Sequence, residues 1–357
     1  MTETNIIKPK RNFYISYLKG WAILSVILIH LIDWSNTVLT TNQTYWKELF
    51  YPGVFFFIAT VGSVIYIAYG HYPDLKKPFR RLLTRGFQLL GVYYLYNIIK
   101  FFVFDFSKQP YYGQFIEKGT FDLKHILLLQ SASVPITIIV TIGLFLLIGP
   151  LLLWLVKKVN FPKLVILGLI IIMIGLNYFV TLPENIVTNL LLSKNLVYFP
   201  PLLWSLPFLI GFYLALYGLG KKMGWWFLFW SVLAGGYAWY LITSGQSWRP
   251  SWYMYPLRPY YIIFSLALMY GIFCLGWLFE KIKSKWVNLG LATLRVLGDS
   301  TLGLYIYHWI IIDLTIWLFA PQYKSIWWTV SGFLVIFLIF KRKQIKLYWL
   351  EHNENLN

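Results

Sequence analysis

Ten apolar runs, each long enough to cross a bilayer as a helix, divide the chain near residues 13–35, 50–70, 82–104, 133–156, 163–180, 199–218, 225–243, 259–279, 300–320 and 325–341. About 20 apolar residues span the hydrocarbon layer. Inside that layer no water is present to bond backbone N–H and C=O groups, so such a run must satisfy them within itself, as a helix. Composition agrees: 59% of the 357 residues are hydrophobic, 12% are charged, and the mean hydropathy is +0.62. Soluble domains carry about 25% charged residues. The expected fold is therefore all-α, a polytopic membrane protein built as a bundle of about ten transmembrane helices.

Charge gives the bundle a direction. One set of alternating flanks holds clusters such as Lys8, Lys10 and Arg11, then Lys76, Lys77, Arg80, Arg81 and Arg85, then Lys157, Lys158 and Lys163. The same side continues with Lys221 and Lys222, with Lys281, Lys283, Lys285 and Arg295, and with Lys341, Arg342, Lys343 and Lys346. The opposite flanks carry only scattered cations such as Lys47, Lys108 and Lys194. Positive residues gather on the cytoplasmic side, so both termini are expected there. Residues 1–345 read as a single ten-span domain and 346–357 as a short cytoplasmic tail. The formal net charge of +18 lies in short loops rather than in one stripe or tail, which excludes a nucleic-acid-binding surface. The lone Cys274 excludes an intramolecular disulfide framework. The first run, interrupted by Lys19 and His30, reads as a span rather than a cleavable leader.

Ionisable residues inside spans are costly and mark candidate functional positions. In the first run, the eleven steps from Lys19 to His30 return to nearly the same helical face and cover about 16 Å of axis. Asp33 follows within a turn of His30. A histidine can take a proton from a hydroxyl nucleophile, and a carboxylate on its other ring nitrogen would fix the tautomer. The alternative for His30 is a buried histidine bonded to a neighbouring helix. In the third run Arg81, Arg85 and Gln88 share one face at i, i+4 and i+7. Topology alone explains cations there, but Arg85 enters the apolar segment, where a guanidinium suits phosphate or diphosphate. In the ninth run Thr301, Tyr305 and His308 share a face, and His308 either pairs with the first helix or bonds within the bundle. The segment 244–259 is rich in Trp, Tyr and Arg. It reads as an interfacial aromatic belt or as a sugar-stacking platform, with Trp252 stacking and Arg249 or Arg258 holding an anionic group. Metal-ligand spacing, phosphate-binding glycine patterns and a serine elbow are missing from the sequence.

These motifs, taken in order, resemble the membrane acyltransferase-3 family, within a wider superfamily that includes heparan-glucosaminide N-acetyltransferases. The family opens on an arginine, ten residues and a histidine, here Lys19 to His30 with lysine in place of arginine. Tyr51-Pro52-Gly53-Val54-Phe55-Phe56-Phe57-Ile58 is similar to its second span, with Ala59-Thr60 where a Ser-Gly pair is usual. Phe79 to Arg85 resembles its basic third-helix motif, and Thr301, Tyr305 and His308 its late Ser-x-x-x-Tyr-x-x-His signature. The resemblance implies transfer of an acyl group, usually acetyl from acetyl-CoA, to a hydroxyl of an extracytoplasmic or lipid-linked glycan, with no covalently bound cofactor. It implies that the basic residues, here Lys19, Arg81 and Arg85, serve the acyl-CoA donor and that the first-helix histidine, His30, serves the chemistry, as base or as transient acyl carrier, with Asp33 beside it by spacing. His308, Tyr305, Trp252 and Arg258 are then candidates for the acceptor. It also implies a multi-pass protein of a bacterial plasma membrane. The rival reading is a polysaccharide or small-molecule transporter, which also combines ten spans with intramembrane charge.

Overall fold

A computed structural model describes residues 12–34, 40–103, 123–129, 134–179, 186–192, 199–218, 222–255, 257–319 and 324–354. The helices are α1 (Phe13–Trp34), α2 (Thr41–Glu48), α3 (Gly53–Tyr69), α4 (Lys76–Val103), α5 (Leu123–Leu127), α6 (Val134–Lys158), α7 (Pro162–Phe179), α8 (Ile186–Leu191), α9 (Pro201–Tyr217) and α10 (Met223–Thr243). A short 3-10 turn at Pro250–Tyr253 precedes α11 (Pro259–Lys281), α12 (Lys285–Asp299), α13 (Thr301–Phe319), α14 (Lys324–Phe340) and α15 (Arg342–Glu354). No strand occurs among the described residues. Each of the ten apolar runs coincides with one helix: α1, α3, α4, α6, α7, α9, α10, α11, α13 and α14. Among the described residues, seven helical stretches are long and apolar enough to cross a membrane, and α9 and Trp328–Phe340 are shorter apolar helices. The chain is an all-α, multi-pass membrane protein.

The bundle is organised around α3, which packs on α1, α6 and, most extensively, α9. Phe55 to Thr60 are all buried, as expected of a helix apolar on every side. Its closeness to α9 depends on two glycines. A Cβ on Gly62 would collide with the Phe208 carbonyl oxygen, and one on Gly211 with the Ala59 carbonyl oxygen. Ser63 seals this contact by donating its hydroxyl to the Gly211 carbonyl at 2.7 Å. Small residues permit such backbone approach between helices in lipid, where packing rather than water exclusion drives association. At the other extreme, α7 and α10 expose Phe179, Trp225, Val232 and Trp239. Apolar surface of that kind belongs against lipid.

Two elements escape a hydropathy scan. The flank 281–299 contains α12, a helix with one buried face formed by Asn288, Leu291, Ala292, Arg295 and Val296. It lies against α1, where Gly20 and Gly298 leave room for backbone contact. Beyond the last apolar run, α15 packs on α12, with Ile345 and Tyr348 buried against Ala292 and Val296. The Arg295 guanidinium sits 3.7 Å from the Tyr348 ring centroid and 5.0 Å from that of Phe13. Of the long segment 105–132, the described part includes the one-turn α5, held by Tyr93 donating to the Ile126 carbonyl and Tyr94 to the Leu127 carbonyl.

Gly211→Ala is expected to separate α3 from α9 and to destabilise the protein by about 2 kcal/mol, the scale of core overpacking. Gly235→Ala in α10, with nothing within 4 Å of the added methyl, leaves stability unchanged or slightly raised. Thermal unfolding of the two variants in the same detergent checks the contrast.

Candidate active site

His30 and His308, 278 residues apart in sequence, meet in the bundle. His30 Nδ1 lies 2.9 Å from His308 Nε2, and the rings are parallel to within 5° at a centroid distance of 5.2 Å. His308 is fully buried, whereas His30 is half-buried. On the far side His308 Nδ1 lies 3.0 Å from the Leu304 carbonyl oxygen, which can only accept. In the neutral rings this network assigns the His308 proton to Nδ1 and leaves Nε2 as an acceptor. His30 then donates from Nδ1, and its own Nε2 keeps a lone pair. Among the described residues, that nitrogen is the free basic position of the pair.

Aromatic rings enclose the pair. Trp309 lies over His30 at 4.3 Å and near His308 at 5.3 Å, and Tyr305 meets His308 edge-on at 5.3 Å. The arrangement follows from α13 geometry. Tyr305, His308 and Trp309 fall three and four residues apart and so crowd one side of the helix, facing α1.

A cavity of about 370 Å³ lies between α1, α3, α4, α6 and the α12–α13 junction. Its wall is mostly apolar, with polar groups contributed by Lys19, Thr60, Arg85, Gln88, Asp299 and Thr301. Along α3 it extends from Tyr69 to Phe57, twelve residues or about 18 Å of helix. Arg85 and Gln88 also border a second space, a basic groove of about 880 Å³ along α4 with Lys76, Lys77, Arg80 and Arg81. Groove and cavity therefore share a wall and meet at Arg85. The lining residue nearest the start of α3 is Phe57, whose ring lies 5.4 Å from that of Tyr305. Rings thus connect the cavity to the histidine pair.

The sequence-predicted residues divide accordingly. His30, Tyr305 and His308 converge. Lys19 and Arg85 share the cavity, and Arg81 lines the adjoining groove, with Arg81, Arg85 and Gln88 exposed on one face of α4. The side chain of Asp33 lies outside the described residues; on Nδ1, the partner of His30 is His308. Trp252 and Arg258 stand exposed between α10 and α11, the Arg258 guanidinium 5.9 Å from the Tyr253 ring. No hydrogen bond or ring contact joins either of them to the histidines. On the same segment, buried Glu48 accepts from the Ser251 N–H at 3.0 Å and from its hydroxyl at 2.8 Å, which ties α2 to the 3-10 turn.

Sequence reasoning passed over a second intramembrane polar cluster. Lys100 of α4 and Asp313 of α13, 1% and 2% exposed, form an ion pair at 3.0 Å, and the Tyr96 hydroxyl also donates to Asp313. The helix carrying Arg81 and Arg85 is thereby tied to the helix carrying His308, although α4 packs chiefly on α6. The signal was in the sequence: a lysine and an aspartate inside apolar runs each require a partner. Phe57, Trp309 and Asp299 were likewise missed, because an aromatic in a span or an acid at a span end has no distinguishing local pattern.

Among the described residues no group of His, Cys, Asp and Glu could hold a metal ion. The fold and this centre define a multi-pass membrane protein whose histidine pair is separated by the rings of Tyr305 and Phe57 from a cavity that adjoins a basic groove. The family model for the acyltransferase domain matches residues 12–340, so the chain belongs to the acyltransferase-3 family and is a membrane acyltransferase. No curated protein and no solved structure matches the chain.

Removing one member of the buried ion pair leaves an uncompensated charge. Lys100→Met is expected to destabilise by about 3–5 kcal/mol, whereas Lys100→Met combined with Asp313→Leu recovers much of that loss. Unfolding midpoints of the single and double variants provide the measurement, and their non-additivity is the expected signature.

Proposed function

We propose that this acyltransferase moves an acetyl group from acetyl-CoA on the cytoplasmic side to a hydroxyl of a glycan, extracytoplasmic or lipid-linked. The observation that carries the reading is the hydrogen-bonded His30–His308 pair, separated by the rings of Tyr305 and Phe57 from a cavity that shares Arg85 and Gln88 with the basic groove. Coenzyme A is a polyanionic nucleotide on a long narrow arm, and groove and cavity match those two parts. Arg81 and Arg85 with the neighbouring lysines would hold the phosphates, since guanidinium groups make charge-assisted bonds to phosphate oxygens. Lys19 would stabilise the donor within the cavity as a point charge, its ammonium replacing the bidentate grip of an arginine. The arm would lie along the roughly 18 Å of α3 between Tyr69 and Phe57.

The chemistry assigned to the pair balances without a cofactor. His30 Nε2 accepts the proton of the acceptor hydroxyl as its oxygen attacks the thioester carbonyl carbon, and the tetrahedral intermediate expels the thiolate. The His30 imidazolium then returns the proton to the sulfur, so a C–O bond replaces a C–S bond and free thiol leaves. His308 is the positioning residue. By accepting from His30 Nδ1 it turns the other nitrogen toward substrate and supports the imidazolium when it forms, the part a carboxylate plays in a serine-hydrolase triad. The rings of Tyr305 and Trp309 crowd bulk water from the pair and leave the hydroxyl as the favoured nucleophile. The plasma membrane of a bacterium suits this traffic from internal donor to external glycan.

Membranes containing the protein, incubated with acetyl-labelled coenzyme A, are expected to label a glycan fraction and to release thiol. His30→Ala lowers transfer by about 10³-fold, within the range of lost general-base catalysis. His308→Ala lowers kcat by about 10²-fold with the donor KM unchanged, whereas Arg85→Ala raises the donor KM by about tenfold at nearly constant kcat. Full transfer by His30→Ala would remove the mechanism.

A further inference from the structure

The residues standing between the cavity and the histidine pair bear on the length of the acyl chain. Phe57 lines the cavity, as its lining residue nearest the start of α3, and is 4% exposed. Its ring lies against that of Tyr305, 3% exposed, which in turn meets His308 edge-on. The other flank of the pair is filled by Trp309, 1% exposed and 4.3 Å from His30. Interiors packed in this way respond to the addition of single methylene groups.

A thioester presented to His30 along the cavity must bring its carbonyl carbon to this aromatic partition. An acetyl group adds one methyl beyond the carbonyl. An octanoyl group adds seven carbons, which need a slot that the rings of Phe57 and Tyr305 already occupy. Of the two, Phe57 is the independent element. Its ring borders the cavity and Tyr305 but makes no ring contact with either histidine, whereas Tyr305 touches His308 directly. The geometry points to Phe57, backed by Tyr305, as the residue that limits the transferred group to short acyl chains. This inference rests on the acyl-CoA reading given above. The bonds made and broken are the same for every chain length, so selection acts through space for the tail alone.

The test measures initial rates of thiol release from acetyl-, butanoyl- and octanoyl-CoA by membranes carrying the full chain, with unfolding midpoints recorded for each variant. The wild-type protein favours acetyl-CoA. Phe57→Ala opens a phenyl-sized space continuous with the cavity and raises the octanoyl-to-acetyl rate ratio by about tenfold or more, the scale at which apolar pockets discriminate chain length. Phe57→Leu, which removes less volume, gives an intermediate ratio, and Phe57→Trp lowers the butanoyl-to-acetyl ratio. A ratio unchanged within about twofold in both Phe57→Ala and Phe57→Leu, with native unfolding midpoints, overturns the inference. Equal wild-type rates on acetyl- and octanoyl-CoA overturn it too, as does loss of all release in both folded variants, which would place Phe57 in the catalytic machinery. In each of these cases the donor reading is judged separately by wild-type release and its loss in His30→Ala. Absence of thiol release from every donor by wild-type protein removes the donor reading and this inference together.

Discussion

In a hydrocarbon layer a polar side chain cannot fall back on water, which favours pairing it with a protein partner or placing it at a cavity. That constraint accounts for most of the specific geometry. His308 bonds to the Leu304 carbonyl on one side and to His30 on the other. Lys100 and Asp313 neutralise each other with Tyr96 alongside. Ser63 donates to Gly211 across the tightest helix contact of the core. Apolar packing would allow helices to slide or rotate against lipid-like neighbours at little cost, whereas these bonds have one satisfactory register each. The polar minority therefore fixes the register of the apolar majority, and it lies where the proposed chemistry needs rigid placement.

The two polar clusters divide the work of holding α13. The histidine pair joins it to α1, and the lysine–aspartate pair joins it to α4, the helix that supplies the basic groove. The basic groove and His30 are thus carried by different helices that share α13 as a common neighbour. At the opposite margin of the cavity, Asp299 receives a hydrogen bond from the Tyr348 hydroxyl at 2.7 Å, which links α15 to the cavity wall. Since α15 follows residue 340, where the matched family domain ends, this wall is braced by a segment outside that domain.

Much of this was legible in the chain, for a physical reason. Hydropathy is a local property, so ten runs became ten helices with boundaries shifted by a few residues. Helical periodicity is local as well, and it placed Lys19 and His30 on one face of α1, Arg81 and Arg85 on one face of α4, and Tyr305 with His308 on α13. The amphipathic α12 was passed over because its mean hydropathy is modest; only the alternation of its buried and exposed faces marks it. Lys100 was visible as a charge within a span, but its partner lies 213 residues away and no spacing rule connects the two.

By itself, then, the sequence determined the all-α membrane architecture, the order of its helices and the helices that carry ionisable groups, since each of these depends on interactions within a few turns of one segment. Only the tertiary structure decided that His30 pairs with His308, that Lys100 pairs with Asp313, and that Phe57 and Tyr305 stand between the cavity and the histidine pair. Those outcomes depend on the rotation and depth of helices hundreds of residues apart, set by close glycine contacts and by the bonds that pair His30 with His308 and Lys100 with Asp313.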